Sequence, residues 1–489
     1  MEVIIEIKKI NETYIKISSN DDGVYYELYE YFSFFVPDYK FMPKYKNGVW
    51  DGKIYLFNRR NREIYKGLLY KILNFCKQRK YKVFVSDDLK DIIKCENYDL
   101  KSLGLPYTPY DYQDVAVHKI LNEKINLILS PTGSGKSLII YSAIRFLLQK
   151  GKKILLVVPT VQLVEQMYND FIEYGWNDID QHVHKIYSGK EKSNTDKVVV
   201  STWQSIYNLN QSWFAEFDAV FIDEAHEAEA NSVKGIMEKC INAEYRNGLT
   251  GTIKDAKVHE LVLNGLFGET YTAVKTKKLM DDGILSELDV LCLVLKHDAD
   301  RSKIVSKMRY TEEIRAIIEN KKRNNFIINL SLDLKYNTLV LFNFVEKHGK
   351  KIYEIYLEKN SKLPIEKQKK IFFIHGDISV EEREKIRKYA ESHNNVVIVA
   401  SYGTFSLGIN IKNLNNVFFA HPYKSKIKVL QSIGRVLRIA PNGQKATLYD
   451  IVDDYRYGKR KNNTYKHALK RMELYESEGF NYKVKVLQI

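Results

Sequence analysis

The sequence predicts an α/β protein with two parallel-sheet lobes in tandem, a small N-terminal α/β domain and a short helical C-terminal extension. Short apolar runs of strand type alternate with segments of helical spacing through both halves of the chain. Such alternation is typical of parallel sheets that helices cover on both faces. A length of 489 residues exceeds one hydrophobic core and suits about three domains of ~100–200 residues.

The first segment is interpreted as a small domain with a basic surface. The start, "MEVIIEIKKINETYIKI", alternates apolar and polar residues like a strand, and further short strands surround the turn "KNGVWDGK" before an amphipathic helix. From Lys40 to Lys82 there are 13 Lys and Arg against 2 acids, interleaved with Phe, Tyr and Trp50. This mixture favours nucleic acid as a partner, and the alternative is an inert, solvated basic face. The candidate contacts there are Lys44, Lys46, Arg59 and Arg60.

Composition and charge further restrict the kind of protein and partner that the sequence predicts. The net charge of +15 favours a polyanionic partner. No apolar run approaches the ~20 residues that span a bilayer, and the N-terminus lacks the pattern of a signal peptide, so we expect a cytoplasmic protein without membrane contact. The scattered cysteines form no CxxC pair and indicate neither a zinc site nor disulfides.

A glycine-rich loop opens the first lobe. "INLILS" reads as a strand, "SLIIYSAIRFLL" as a helix, and "PTGSGK" lies between them, which is the context of a phosphate-binding loop. Lys136 is expected to reach the β- and γ-phosphates of ATP, and Ser137 to ligate Mg²⁺. Ser130 stands where the common pattern has its first glycine, and a chance glycine turn is the alternative. The candidate nucleotide-binding residues are Pro131, Thr132, Gly133, Ser134, Gly135, Lys136 and Ser137.

Two acids follow a second apolar strand in "FDAVFIDEAHEAEA". Asp223 comes directly after buried-type residues, so it is expected to hold Mg²⁺, usually through water. Glu224 is expected to act as the general base that activates the attacking water. An acidic helix cap is the alternative, but it does not explain the preceding strand or the upstream phosphate loop.

These segments resemble the motifs of superfamily 2 helicases. "PTGSGKS" matches motif I, which does not require a glycine at Ser130, and "DEAH" matches motif II. "LTGT" matches motif III, which couples the nucleotide to the nucleic-acid side. In "YTPYDYQDVAV", the resemblance implies that Gln113 reads the adenine edge, whereas Tyr110 and Tyr112 stack nearby or belong to the core.

The second half completes this resemblance. It reads as a further set of alternating strands and helices without a phosphate loop of its own, and "QSIGRVLR" resembles motif VI. Its spacing places Gln431, Arg435 and Arg438 on one helical face. The resemblance implies two RecA-like lobes that enclose one ATP, with Arg435 and Arg438 stabilising charge on the γ-phosphate. A solvated, inert basic helix is the alternative.

Other loops resemble the motifs that contact nucleic-acid backbones in this superfamily. Such contacts give affinity and register but little sequence preference. "VVPTVQLVEQM" resembles motif Ia, "STWQSI" motif Ic, "FIHGD" with Arg383 motif IVa, and "SYGTFSLGINI" motif V. The residues implied are Pro159, Thr160, Thr202 and Thr404 at the nucleic acid, and Gly408 near the nucleotide.

The whole chain is similar to the UvsW-type helicases of phages. The most specific segments are "YKFMPKYKNGVWDGKIYLF", "ASYGTFSLGINIKNLNNV" and "KSKIKVLQSIGRVLR". The resemblance implies an ATP-dependent DNA helicase that acts on Holliday junctions, stalled forks and R-loops, including RNA–DNA hybrid, during recombination, replication and repair. It also implies action in the cytoplasm of a bacterial host.

The expected domains are a nucleic-acid-binding domain at 1–98, a first lobe at 99–287, a second lobe at 288–455 and a basic extension at 456–489. Three alternatives for function remain at this stage. The first is an RNA helicase with the same motor, and the second is the motor of a restriction system, although no segment reads as a nuclease domain. The third is a passive binding protein, which the intact motif residues argue against.

Overall fold

The computed structural model describes residues 2–90, 96–193, 195–226, 231–252, 257–406, 411, 413–423, 429, 433–434 and 445–489. The chain divides into two compact units. The first comprises Met1–Ser130 and Gly135–Val274, and the second comprises Pro131–Ser134 and Lys275–Ile489.

The N-terminal domain is built on a mixed four-stranded sheet in the order β5-β2-β1-β6, with a separate two-stranded antiparallel sheet of β3 and β4. The alternation read from the sequence holds, because Ile5, Ile7, Ile15 and Ile17 are fully buried while the residues between them face outward. Its elements are β1 (Ile4–Lys9), β2 (Tyr14–Ser19), α1 (Gly23–Tyr31), β3 (Ser33–Phe35), α2 (Pro43–Lys46), β4 (Lys53–Tyr55), β5 (Glu63–Tyr65), α3 (Leu69–Arg79) and β6 (Lys82–Val85).

The first lobe contains a seven-stranded sheet in the order β13-β7-β12-β11-β8-β10-β9, in which every pair is parallel. Its central strands are buried along their whole length, as expected for a sheet with helices on both faces. Its elements are α4 (Asp111–Glu123), β7 (Ile125–Leu129), α5 (Lys136–Gln149), β8 (Ile154–Val158), α6 (Val161–Glu173), β9 (Val183–Ile186), β10 (Val198–Thr202), α7 (Trp203–Ile206), α8 (Gln211–Phe214), β11 (Ala219–Asp223), α9 (Asn231–Lys239), β12 (Tyr245–Thr250), α10 (Lys257–Phe267) and β13 (Thr270–Thr272).

The N-terminal domain and the first lobe share one hydrophobic core and form a single unit. The Tyr65 hydroxyl donates to the Glu238 carboxylate at the end of α9 (2.5 Å), and the Tyr65 ring stacks on Tyr14 at 5.2 Å. Gly67 lies against the end of α10, where a Cβ would approach the Asn264 carbonyl oxygen to 2.3 Å. Only glycine allows this close approach of two backbones.

The second unit contains another parallel seven-stranded sheet, in the order β16-β17-β15-β18-β19-β14-β20. These two sheets with the N-terminal mixed sheet confirm the predicted fold class. Its elements are α11 (Thr276–Asp281), β14 (Leu288–Lys296), α12 (Ala299–Val305), α13 (Tyr310–Ile318), α14 (Lys321–Asp333), β15 (Asn337–Phe342), α15 (Lys350–Ser361), β16 (Lys370–Ile374), α16 (Val380–Ser392), β17 (Val396–Ser401), α17 (Tyr402–Ser406), β18 (Leu414–Phe419), β19 (Ala446–Asp454), α18 (Asn463–Ser477) and β20 (Asn481–Gln488).

The C-terminal extension is part of this second sheet and is more than a helix, because β20 pairs in parallel with β14. Buried polar contacts fix α18 in place. The Glu313 carboxylate accepts hydrogen bonds from the backbone N–H groups of Asn463 (2.9 Å) and Thr464 (2.7 Å). On the same helix, the Arg471 guanidinium donates to both carboxylate oxygens of Asp450.

Two kinds of feature are absent from the described residues. No helix there has the length and apolarity needed to cross a membrane. No cluster of three or more His, Cys, Asp or Glu side chains arranged to hold a metal ion occurs in the same part of the chain.

Candidate functional site: a nucleotide-binding edge of the first sheet

The candidate site lies at the carboxyl ends of three neighbouring strands of the first lobe. In the pairing register, Asp223 of β11 is opposite Leu249 of β12, and Thr250 of β12 is opposite Leu129 of β7. The phosphate loop, motif II and motif III therefore leave the sheet side by side. Open α/β sheets bind ligands at this edge.

The phosphate loop has the backbone that its sequence predicts. Gly133 (φ +84°) and Gly135 (φ +76°) are left-handed, a conformation that glycine adopts without cost, and α5 begins at Lys136 directly after them. The N-terminal N–H groups and the dipole of α5 favour an anion at this place. Ser134 is buried, and its hydroxyl donates to the Pro131 carbonyl at 2.6 Å.

Ser130 is a structural member of the loop. It is fully buried, and its N–H donates to the Thr250 carbonyl at 2.9 Å, which ties the loop to β12. Its own carbonyl accepts a hydrogen bond from the Lys136 ammonium at 3.2 Å. Ser130 does not adopt a positive φ, so this position has no need for a glycine.

The two acids of motif II stand in different backbone conformations. Asp223 is the last residue of the fully buried strand β11, whereas Glu224 turns out of the strand with a φ of +52°. A left-handed residue with a side chain costs about 1–2 kcal/mol, and such conformations cluster at functional sites.

Electrostatics link the acids to the phosphate loop. Burial raises the pKa of Asp223 from its usual 3.8 to about 7, and the adjacent Glu224 charge adds to this rise. The Lys136 ammonium acts in the opposite direction, so the loop lysine is close enough to stabilise the carboxylate. Among the described residues, Asp223 Oδ1 is buried and has no hydrogen-bond partner. An orphaned, buried carboxylate oxygen suits a cation or a water held by one.

His226 connects motif II to motif III. Its Nδ1 lies 3.3 Å from Glu224 Oε2 and 3.0 Å from Thr250 Oγ1, and the Thr250 hydroxyl donates to the Thr252 carbonyl at 3.0 Å. The DEAH pattern contains His226, but it does not predict the hydrogen bond between His226 and Thr250. A contact 24 residues apart has no local signal in the sequence.

Ser137 has a partner that the sequence did not suggest. Its Oγ lies 2.7 Å from the hydroxyl oxygen of Tyr174, which follows the last residue of α6. Burial raises the pKa of Tyr174 to about 12. No motif pattern includes this tyrosine, because it reaches Ser137 only through the packing of α6 on α5.

Gln113 lies against the phosphate loop. It is buried, its Oε1 accepts from the Tyr110 N–H at 2.9 Å, and a Cβ placed on Gly135 would be 2.3 Å from its Nε2. Gly135 is therefore required for space as well as for its φ. Tyr110 and Tyr112 stack on each other with centroids 5.6 Å apart, and Tyr110 is exposed.

The candidate nucleic-acid residues of the first lobe lie at the carboxyl ends of β8 and β10, on the same sheet edge. Thr160 caps α6 by accepting from the Leu163 N–H at 3.2 Å, and the Pro159 carbonyl accepts from Gln204 at 3.2 Å. Thr202 is buried, with its hydroxyl 2.9 Å from that of Ser205. These contacts shape the two loops.

In the second unit, Thr404 follows β17, and its hydroxyl lies 2.7 Å from Ser401 Oγ. The Arg383 guanidinium is bonded to the carbonyl oxygens of His375 and Gly376 and so organises its own loop. Four predicted residues lie outside the described part of the chain, and their assignments stay predictions. They are Gly408, Gln431, Arg435 and Arg438.

The four candidate basic residues of the N-terminal domain are exposed, and their contact with nucleic acid stays a prediction. Lys44 and Lys46 belong to α2, and Arg59 and Arg60 to the turn that precedes β5. The Arg59 guanidinium stacks over the ring of Tyr26 at 4.4 Å, which limits the conformations of a long cationic side chain.

Comparison with known families assigns the class. The family described as "Type III restriction enzyme, res subunit" matches residues 106–255, and "Helicase conserved C-terminal domain" matches residues 322–440. With the phosphate loop, the DEAH acids and two parallel-sheet lobes, these matches define the chain as a superfamily 2 helicase.

The particular family follows from matches along the whole chain. "DNA helicase UvsW, N-terminal" matches residues 5–86. The "ATP-dependent DNA helicase uvsW" of Enterobacteria phage T4 is 33% identical over 96% of this chain and 97% of that protein. The chain belongs to the UvsW family of helicases.

Solved structures agree with this assignment. The crystal structure of T4 UvsW superposes with a TM-score of 0.51 at 30% identity, covering 100% of both chains. A Type ISP restriction-modification enzyme bound to DNA gives a TM-score of 0.57 at 16% identity, covering 85% of this chain and 34% of that one. The second likeness shows the fold alone.

Proposed function

We propose that this chain is an ATP-dependent DNA helicase or translocase that remodels branched DNA, such as Holliday junctions, stalled forks and R-loops, in recombination, replication and repair. One observation carries the proposal: Lys136 and the carboxylate of Asp223 interact at the same sheet edge where α5 presents its N-terminus. The relative from phage T4, which is named as an ATP-dependent DNA helicase, supports it.

ATP would bind with its phosphates on the N-terminus of α5. The Lys136 ammonium, now bonded to the Ser130 carbonyl, would turn to the β- and γ-phosphates, which are stronger acceptors. Glu224 would take the proton of the attacking water, and His226, 3.3 Å from its carboxylate, would orient it. Arg435 and Arg438 are proposed to stabilise charge on the γ-phosphate.

The residues present suit Mg²⁺ as the cofactor. Ser137 and Asp223 would hold it, the former through its hydroxyl and the latter directly or through water. The buried Oδ1 of Asp223, which has no hydrogen-bond partner among the described residues, supports this role. When bound, the ion neutralises charge on the phosphates. It would also favour the ionised form of Asp223, which burial disfavours.

Thr250 of motif III would couple ATP hydrolysis to the binding of nucleic acid. Thr250 is bonded to His226 of motif II by its side chain and to Ser130 of the phosphate loop by its backbone. A change at the nucleotide would therefore reach β12 directly. We place the DNA contacts at Pro159, Thr160, Thr202, Thr404, Lys44, Lys46, Arg59 and Arg60.

The domain boundaries inferred from the sequence, at residues 98, 287 and 455, belong to this proposal. We also propose that the protein acts in the cytoplasm of a bacterial host.

The test is ATP turnover measured with a panel of nucleic acids at fixed salt concentration: single strand, duplex, fork, four-way junction, R-loop and structured RNA. We expect junctions, forks and R-loops to stimulate turnover more than linear duplex. Strongest stimulation by structured RNA would replace the proposal with an RNA helicase, and equal stimulation by linear duplex would favour a restriction-type motor. No stimulation by any member would reject a nucleic-acid-driven motor.

A further inference from the structure

The end of helix α6 reaches the phosphate loop through one side chain. Tyr174 directly follows Glu173, the last residue of α6, and its N–H donates to the Asp170 carbonyl at 2.9 Å, which completes the helix. Its hydroxyl oxygen lies 2.7 Å from Ser137 Oγ in the first turn of α5. This hydrogen bond joins two residues that are 37 positions apart in the sequence.

The ring of Tyr174 is held on more than one side. It packs edge-on against Tyr141 at 5.4 Å and against Tyr107 at 6.3 Å, and most of its surface is buried. Tyr141 lies one turn after Ser137 on α5, so the same helix provides both the wall and the hydrogen-bond partner. A ring fixed in this way presents its hydroxyl at a constant position relative to Ser137.

A serine oxygen that ligates a cation must offer a lone pair to it and send its own proton elsewhere. Ser137 has one O–H group, and Tyr174 provides an oxygen at hydrogen-bonding distance that can accept this proton. When the Ser137 O–H donates its hydrogen bond to Tyr174, the lone pairs of Ser137 Oγ remain for a ligand. Partners outside the coordination shell commonly orient metal ligands in this manner.

We propose that Tyr174 is a positioning residue for the Mg²⁺–ATP site: its hydroxyl oxygen accepts a hydrogen bond from the Ser137 hydroxyl and fixes the Ser137 rotamer that would ligate the ion. The inference rests on the proposed ATP and Mg²⁺ site. In this proposal Tyr174 acts through Ser137 and is not itself a ligand of the ion or the nucleotide. Its contribution is confined to states in which Ser137 ligates the metal.

The expected loss of Mg²⁺ affinity on removal of the Tyr174 hydroxyl has a lower and an upper limit. A serine released from its partner samples about three staggered rotamers, so the loss of orientation alone weakens binding about threefold. Removing a partner of a metal ligand typically weakens metal affinity about 10–100-fold. For Tyr174→Phe, which keeps the ring and its packing, we therefore expect about a tenfold rise in the Mg²⁺ concentration that half-saturates nucleotide binding.

The experiment is equilibrium binding of a fluorescent ADP analogue, titrated with MgCl₂ and compared with binding in EDTA. Tyr174→Phe is expected to shift the Mg²⁺ titration and to leave the affinity in EDTA unchanged. The matched control is Tyr168→Phe on α6, because the Tyr168 hydroxyl donates to Asp180 instead of the loop. An unchanged Mg²⁺ titration, a tighter one, or an equal loss in EDTA would each overturn the proposal.

A double-mutant comparison separates positioning from a general loss of stability. Ser137→Ala removes the same hydrogen bond from the other side, so Tyr174→Phe should have no further effect on the Mg²⁺ titration in that background. Additive effects would contradict the inference. If the natural chain binds no nucleotide with Mg²⁺, the proposed function fails as well. If it binds and Tyr174→Phe behaves identically, only the role of Tyr174 fails.

Discussion

The replacement Glu224→Gln tests the assignment of the general base. Glutamine keeps the size of the side chain and its hydrogen-bonding atoms beside His226, 3.3 Å away, but its amide cannot accept a proton from water. The left-handed backbone at this position, with a φ of +52°, is no more costly for glutamine than for glutamate. The change therefore removes the basic group and leaves the local structure intact.

General-base catalysis contributes about 10²–10⁴-fold to turnover, which corresponds to about 3–5.5 kcal/mol of activation free energy. We expect the nucleic-acid-stimulated kcat of Glu224→Gln to fall by this factor. Nucleotide affinity should be unchanged or slightly higher, because one negative charge beside the phosphates is lost. The same loss removes a cause of the raised pKa of Asp223, so that pKa should move toward its usual value.

Two assays are needed, single-turnover hydrolysis and fluorescent-nucleotide binding. Glu165→Gln is the matched control, because Glu165 lies on α6 instead of in motif II and bonds Lys185 and Tyr187 in the same unit. Turnover of Glu224→Gln above one-tenth of the natural rate, or a parallel collapse of nucleotide binding, would refute the role given to this carboxylate.

Three further predictions concern the loop lysine, the basic domain and the second sheet. Lys136→Ala should reduce ATP turnover at least 100-fold, because this lysine is proposed to bind the β- and γ-phosphates of ATP. The same variant should bind DNA normally without nucleotide in a gel-shift assay. The second prediction concerns the simultaneous replacement by alanine of four basic residues of the N-terminal domain, Lys44, Lys46, Arg59 and Arg60. It should weaken junction binding, lower the slope of log Kd against log[salt] by up to about 3.6, and leave the basal ATPase rate within twofold. An unchanged slope would mean that this surface does not contact DNA. Burial, and after it the Arg323 charge, lowers the pKa of His421 to about 3. The His421 imidazole therefore stays neutral in the folded chain, whereas the same imidazole binds a proton below about pH 6.5 in the unfolded chain. Stability should therefore fall by about 2 kcal/mol for this group between pH 7 and pH 5, and His421→Phe should remove that part of the pH dependence in urea unfolding.

The strands and helices that carry the motifs could be predicted because their signals are local. The apolar run before Ser130, the two left-handed glycines and the helix that starts at Lys136 follow from residue type and spacing within about 25 positions. The alternation of Ile5 and Ile7 gave the first strand in the same way. Strand-type runs alternating with helical spacing were enough to predict two parallel sheets.

Other features could not be predicted, because they depend on distant residues meeting. The sequence did not show that β20 would join the sheet beside β14, about 190 positions earlier in the chain. It did not show that Glu313 would cap α18, or that Gly67 would lie against α10. Hydrophobic spacing determines which face of an element is buried, and it carries no information about the partner that covers it.

The sequence by itself determined the chemistry of this protein, since a phosphate loop, an acid pair and their strand context are short-range patterns that backbone sterics and helix dipoles make specific. Tertiary structure alone decided how that chemistry is arranged. It set the left-handed turn at Glu224, the raised pKa of Asp223 and the hydrogen bond between Ser137 and Tyr174. Each of these arises from burial or from contact between remote segments, and such effects exist only after the chain has packed.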